Sequence, residues 1–321
     1  MKSSFATPER AVHPWHGRIA SRWADVALLV VPGVIWGASF LFIAEGLAAV
    51  EPNGVTFTRL AIGFLTLSLF PSARRPVART DWAGTAALGV LWFAFPLSMF
   101  PFAEQHVSSA LTGMLNGATP LFVAAVAGMI AHRIPDRGTL AGLMIGFGGA
   151  VVMAIPALGG ASSAFGVLLI VAALASYGIA LNVARPLQQR NGAIPVIWRA
   201  LGVALILTAP LGLPAMLEGN WTLRPALAML GLGAGGTAIA TILTATAAGR
   251  RGATKASISA FLIPVVALIL GVVIRHEHVT ALSLVGAAIC LSGAFILREP
   301  ELIRFQRFQW FQRFQRVGLW F

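Results

Sequence analysis

The stretch "VTFTRLAIGFLTLSLF", Val55–Phe70, is a continuous apolar run with one full charge inside it, Arg59. An arginine in hydrocarbon costs at least ~2.5 kcal/mol on insertion scales, so this one needs a partner or a task. A second stretch, "IWRALGV" at 197–203, carries Arg199, 140 residues after Arg59. Each arginine stands about 10 Å from the nearer end of its run at 1.5 Å per residue, within snorkelling reach of an interface.

The echo extends well beyond the arginines. Pro120 and Pro264, His132 and His276, Gly142 and Gly286, and Gly149 and Gly293 are each 144 residues apart. Two copies of one unit account for these matches. The chain of 321 residues is 57% hydrophobic and only 11% charged, too little polar surface for a water-soluble domain, which averages about 25% charged residues. A spanning helix takes about 20 residues. Ten candidate spans follow, at 25–46, 53–70, 82–103, 107–130, 137–156, 163–184, 193–216, 223–246, 253–274 and 279–297. The spans lack the short alternating segments of a membrane barrel. The expected fold class is therefore an all-α polytopic membrane protein, ten transmembrane helices in two inverted five-helix repeats, because an odd number of spans turns the second copy over.

Charge sets the expected orientation. With the N-terminus in the cytoplasm, 19 of the 23 basic residues fall in inner segments and two, Arg224 and Arg275, in outer loops. That is the positive-inside asymmetry. The expected layout is a basic cytoplasmic N-terminus at 1–24, repeats at 25–156 and 163–297, and a basic aromatic cytoplasmic tail at 298–321. That tail, "RFQRFQWFQRFQRVGLWF" from Arg304, has two readings: a segment lying on anionic lipid, or a low-complexity extension. The net charge of +12 is explained by lipid headgroups and topology, with no nucleic-acid partner expected. A single cysteine, Cys290, excludes an intramolecular disulfide and a zinc cluster.

Several motifs resemble the EamA-type members of the drug/metabolite transporter superfamily. They are "IWGASF" in span one, "PNGVTFTR" entering span two, "SSALTGMLNGATPLFVA" in span four and "SAFLIPVVALILGVVIRHEHVTALSLVGAAICLSGAFIL" in spans nine and ten. The resemblance covers residues 26–297 and implies transport of a metabolite; relatives move amino acids, nucleotide sugars, quaternary ammonium compounds and others. The family often places a Gly-Glu pair after spans four and nine. Glu277 matches the second; Arg133 stands where the first would be.

A carrier built on inverted repeats is expected to bind at the midplane between its halves. Candidates for a substrate cavity are Trp36, Ser39 and Phe40 in span one, Trp92 and Phe95 in span three, and Thr112 and Asn116 in span four. Tyr177 and Asn182 in span six, Thr241 in span eight, and Ser257 and Ser259 in span nine complete the set. Pro120 and Pro264 are candidate helix breaks, each freeing a carbonyl one turn earlier; pure packing is the competing reading. For Arg59 and Arg199 the choice lies between paired anchors and a gate or substrate-anion contact. Mid-depth tryptophans need partners for their N–H groups and could wall a pocket for a ring or organic cation.

Absences shape the rest. No Asp or Glu falls at mid-span; Asp25, Glu45, Asp81 and Glu104 are at span ends. A proton-driven carrier usually keeps a buried carboxylate, so a facilitator or exchanger is expected. His106, His132 and His276 sit near span ends. No catalytic constellation, metal site or cofactor motif is present, and "GLGAGGTA" at 231–238 lies within span eight and reads as close helix packing. The expected function is a secondary transporter, in the export direction, of an amino acid or related compound across the inner membrane. The rival is a membrane-embedded enzyme or receptor on a ten-helix scaffold. Expected partners are a small-molecule substrate and membrane lipids, and a monomer suffices mechanically.

Overall fold

The computed structural model describes residues 14–132, 137–157, 161–251 and 258–296, and every regular element among them is helical. Ten helical segments follow in order. The first half holds α1 (Pro14–Gly46), α2 (Pro52–Ser68), α3 (Arg79–Glu104), α4 (Ser109–Ile130) and α5 (Arg137–Ala154). The second holds α6 (Ala161–Asn191), α7 (Ala193–Leu217), α8 (Leu223–Thr246), α9 (Ile258–Arg275) and α10 (Ala281–Ile296). Five of them, α3, α4, α6, α7 and α8, meet the length and apolarity of a membrane crossing unaided. The N-terminal tail to residue 13, Ser257 and the segment from residue 297 lie outside the described residues. Most boundaries shift by a few residues from the expected ones, and the largest shifts are that α1 begins at Pro14 and α6 continues to Asn191.

Three pairs of equivalent helices from the two halves pack against each other in opposite directions. On α5 and α10, Gly146 faces Gly293, Gly149 faces Cys290 and Met153 faces Gly286. On α2 and α7, Gly54 faces Ala215, Phe57 faces Gly212 and Phe64 faces Gly202. On α4 and α9, Ala110 faces Gly271 and Gly113 faces Ala267. In each pair one number rises as the other falls, which is the signature of an inverted repeat. Small residues at these contacts let backbones approach closely where lipid gives no hydrophobic drive between helices.

Local chemistry explains the irregularities. α4 is interrupted at Gly117–Ala118, between Ser109–Asn116 and Thr119–Ala131. Pro120 has no N–H for the Asn116 carbonyl, and the Thr119 hydroxyl takes that carbonyl instead at 2.7 Å. α9, in contrast, stays continuous through Pro264, whose ring packs on Gly117. α4 and the described part of α9 end alike: His132 and His276 adopt the left-handed conformation, φ 48° and 54°. This is the backbone position that closes a helix, and it gives the paired histidines a main-chain duty. α3 and α8 also match, each widening into π-type turns, at Gly89–Ala94 and Gly231–Ile239.

Candidate functional site

The wide turns of α8 create the setting of Arg59. Thr237 gives its hydroxyl proton to the Leu232 carbonyl, five residues back, at 3.3 Å. The same hydroxyl oxygen accepts from Arg59 Nε at 2.9 Å. Gly233 lets α8 close onto Ile62 and the Arg59 carbonyl. Gly236 leaves its carbonyl to Trp36, whose Nε1–H donates to it at 2.8 Å. The Ser39 hydroxyl lies over Gly236 and donates to Ile35 O at 3.0 Å. Trp36, Ser39, Arg59 and Thr237 thus form one cluster on α1, α2 and α8, drawn from both repeats. Arg59 is only 7% exposed, and among the described residues Thr237 Oγ1 is its one hydrogen-bond acceptor. A guanidinium has five N–H donors, so most of its binding capacity is unspent.

Beside the cluster runs an aromatic wall. The Phe40 and Phe100 rings meet edge to face with centroids 5.6 Å apart, and Phe100 lies 6.0 Å from Tyr177. The wall joins α1 and α3 to α6. Tyr177 and the Glu104 carboxyl are both close enough to act electrostatically on Arg59. Thr112 is fully buried, its hydroxyl donating to Ser108 O at 3.0 Å, and Gly113 beside it faces the Phe40 ring. Asn116 sits at the break of α4.

Other candidates fall elsewhere. Phe95 is 40% exposed. Trp92 stacks on Phe93 at 5.3 Å. The Asn182 amide nitrogen donates to Val123 O at 3.1 Å and Gly178 O at 2.8 Å, tying α6 to α4. Thr241 donates to Thr237 O at 2.8 Å. Ser259 is buried, its carbonyl against Gly33 of α1. Arg199 departs most from its sequence counterpart. It donates to Ala73 O at 3.2 Å and Pro195 O at 3.1 Å, with Trp82 and Trp198 rings 5.8 and 5.5 Å away. Carbonyls and rings satisfy it at the end of the bundle, whereas Arg59 is held by one hydroxyl inside.

Each end of the bundle carries an ion-pair staple between the repeats. At one end Arg224 Nε lies 2.6 Å from Glu45 Oε2, and Arg275 Nη1 donates to Glu45 Oε1 at 3.1 Å. At the other, Arg190 Nη2 is 2.7 Å from Asp81 Oδ1, and Asn191 Nδ2 donates to Asp81 Oδ2 at 2.6 Å. The first joins α1 to α8 and the second α6 to α3, which are equivalent helix pairs. The polarity is reversed: an acid on α1 corresponds to a base on α6. Near the Glu45 end, Glu277 caps α4. Its Oε1 accepts from Ser109 N at 3.1 Å and Ser109 Oγ at 2.7 Å, and its Oε2 from Ala110 N at 2.8 Å.

Sequence reasoning did not single out Thr237, Phe100 or the interior placement of Glu104. The "GLGAGGTA" run was the available signal for the first, since its glycines bring α8 against Arg59.

Comparison with known proteins agrees with this architecture. The EamA-like transporter family matches twice, over residues 23–155 and 164–298. A protein of Streptantibioticus cattleyicolor named as a probable terminal-alkyne amino-acid exporter is 27% identical over 86% of this chain and 94% of its own. The uncharacterized transporter YdfC of Bacillus subtilis is 27% identical over 81% of this chain and 86% of its own. An uncharacterized transporter of Archaeoglobus fulgidus is 26% identical over 84% and 94%. A solved crystal structure superposes on 89% of this chain and 99% of its own with a TM-score of 0.61 at 18% identity, a likeness of fold alone. With two matches spanning most of its length, this multi-pass, all-helical chain belongs to the EamA-like transporter family.

Proposed function

We propose that the protein is a secondary transporter that exports an amino acid or a related polar or amphipathic metabolite across the inner membrane by alternating access, with both termini cytoplasmic. The observation that carries the reading is Arg59: a guanidinium buried between the repeats with one hydroxyl acceptor. Such a group recognises a carboxylate bidentately, and the midplane seam of an inverted repeat is where carriers place their sites. Trp36, Ser39, Phe40 and Thr112 surround the same region, with Phe100 and Tyr177 as the wall for the side chain of the substrate. The name of the Streptantibioticus relative, an amino-acid exporter, agrees with a carboxylate-bearing substrate. On this reading the Glu45 end faces outward, the repeats at 25–156 and 163–297 are the rocking bodies, and Arg199 anchors the inner end.

The test is flux through the purified full chain in liposomes with a panel of labelled L-amino acids. Efflux of at least one member, lost in Trp36→Ala and Arg59→Ala at normal expression, is the expected result. Flux unchanged by both substitutions removes the site assignment, and flux of no panel member removes the amino-acid class.

A further inference from the structure

Glu104 ends α3 near the Glu45 end of the bundle, at a span end, where a carboxylate ordinarily meets water. Instead both carboxylate oxygens are buried, and neither has a hydrogen-bond partner. Ionised, such a group would lack every donor that normally offsets its desolvation, a cost of several kcal/mol. Its charged neighbours are of both signs: Glu277 is a like charge, Arg275 and Arg59 are opposite charges. Glu277 is committed: it caps the N-terminus of α4 through three donors and lies 3.5 Å from Arg275 Nε.

Other titratable and charged groups lie toward this end, with His276 and His278 flanking Glu277 in sequence. α2 presents Arg59, and α6 presents Tyr177, which acts on Arg59. The turn after α3 holds His106, whose ring stands edge-on to Phe165 at 5.3 Å. Glu45 on α1 is engaged by Arg224 and Arg275.

We infer that Glu104 is the proton-binding group of the carrier, neutral and protonated in the conformation described here, and that a proton and the ammonium group of the substrate compete for it. This rests on the amino-acid reading above and extends it. The substrate carboxylate takes Arg59, and its ammonium takes Glu104 after the proton has left to water. When a proton returns to Glu104 from the other side, the ammonium loses its counter-charge and the substrate is released. One proton enters for each substrate that leaves, no covalent bond changes, and the exchange is an antiport.

Two measurements test it on the full-length protein. Infrared difference spectra at neutral pH in lipid read the protonated carboxyl directly and need no substrate. A buried protonated-carboxyl band is expected in the wild type, absent in Glu104→Gln, altered but present in Glu104→Asp, and retained in Glu277→Gln. A wild-type spectrum unchanged by Glu104→Gln overturns the proposal. In liposomes with the labelled amino-acid panel, a proton gradient of one pH unit is expected to support a substrate gradient of about tenfold in the wild type. Glu104→Gln removes the carboxyl that both the proton and the ammonium need, and is expected to lose substrate exchange and the response to the gradient together, while Glu104→Asp keeps both. A Glu104→Gln variant that still follows the proton gradient overturns the proposal. Absence of wild-type flux for the whole panel counts against the amino-acid reading, and the infrared result then decides on Glu104 by itself.

Discussion

Arg59 of the first repeat donates its Nε–H to Thr237 Oγ1 of the second at 2.9 Å, so this buried guanidinium at the seam is oriented by a hydroxyl from the opposite half. The hydroxyl is in turn fixed by the Leu232 carbonyl that the wide turns of α8 release. Thr237→Val keeps the volume and deletes this bond. A hydrogen bond to a charged group is worth about 1.5–3 kcal/mol, so substrate affinity in liposome flux is expected to fall by about 10- to 100-fold through misorientation of Arg59. Unchanged affinity would show that the hydroxyl does not position the guanidinium.

Arg199 occupies the matching place in α7 and does different work. Arg199→Ala removes bonds to two carbonyls and contact with two rings. Thermal melting in detergent is expected to show a loss of about 1–2 kcal/mol with the affinity for substrate retained. Arg59→Ala is expected to show the opposite pattern.

The staples predict a charge-swap result. Glu45 and Asp81 stand at equivalent helix pairs with reversed polarity. Asp81→Arg leaves Arg190 facing a like charge and is expected to lower the melting temperature; Asp81→Arg combined with Arg190→Asp is expected to recover most of it. Part of the Arg190 side chain is solvent-exposed, which screens the pair, so the recoverable energy is about 1 kcal/mol. Recovery absent in the double variant would show that packing, not charge, sets the contact.

The α5–α10 seam gives a sharper contrast. A methyl group on Gly293 would enter the backbone of Gly146, while one on Gly148 meets nothing within 4 Å. Backbone cannot rotate away as a side chain can, so Gly293→Ala is expected to cost about 3 kcal/mol or more, the upper range for overpacking. Gly148→Ala is expected to be neutral or slightly stabilising, as a helical Gly-to-Ala change is. Thermal melts of the two variants decide it.

Glu277 caps the first turn of α4 from the end of α9. Glu277→Ala removes three hydrogen bonds, and a lost cap costs about 1–2 kcal/mol. Amide exchange at Ser109 and Ala110 is expected to accelerate by about 10-fold, with exchange in α7 unaffected. An equal rise in both places would point to global loosening.

The repeat was legible because it is written in rigid markers. Pro120, His132 and Gly149 recur at one spacing, and each marks a backbone feature of its copy: a missing N–H, a left-handed helix end and a close helix contact. The pair Arg59 and Arg199 was legible as a pair but not as two different roles, since their surroundings come from helices more than a hundred residues away. The wide turns of α3 and α8 leave no compositional trace beyond glycine, so Thr237 stayed hidden. Glu104 was legible as the end of its span, and α3 does end there, but the burial of its carboxyl oxygens depends on helices distant in sequence. The Pro120 break was readable from the missing N–H, while the continuity of α9 at Pro264 depends on its surroundings in the fold.

The most direct measurement is counterflow of a labelled amino acid into liposomes containing either the wild type or Arg59→Ala, with both proteins shown to melt at similar temperatures. The account predicts accumulation with the wild type and none above empty liposomes with Arg59→Ala. Equal accumulation by the two proteins would contradict it.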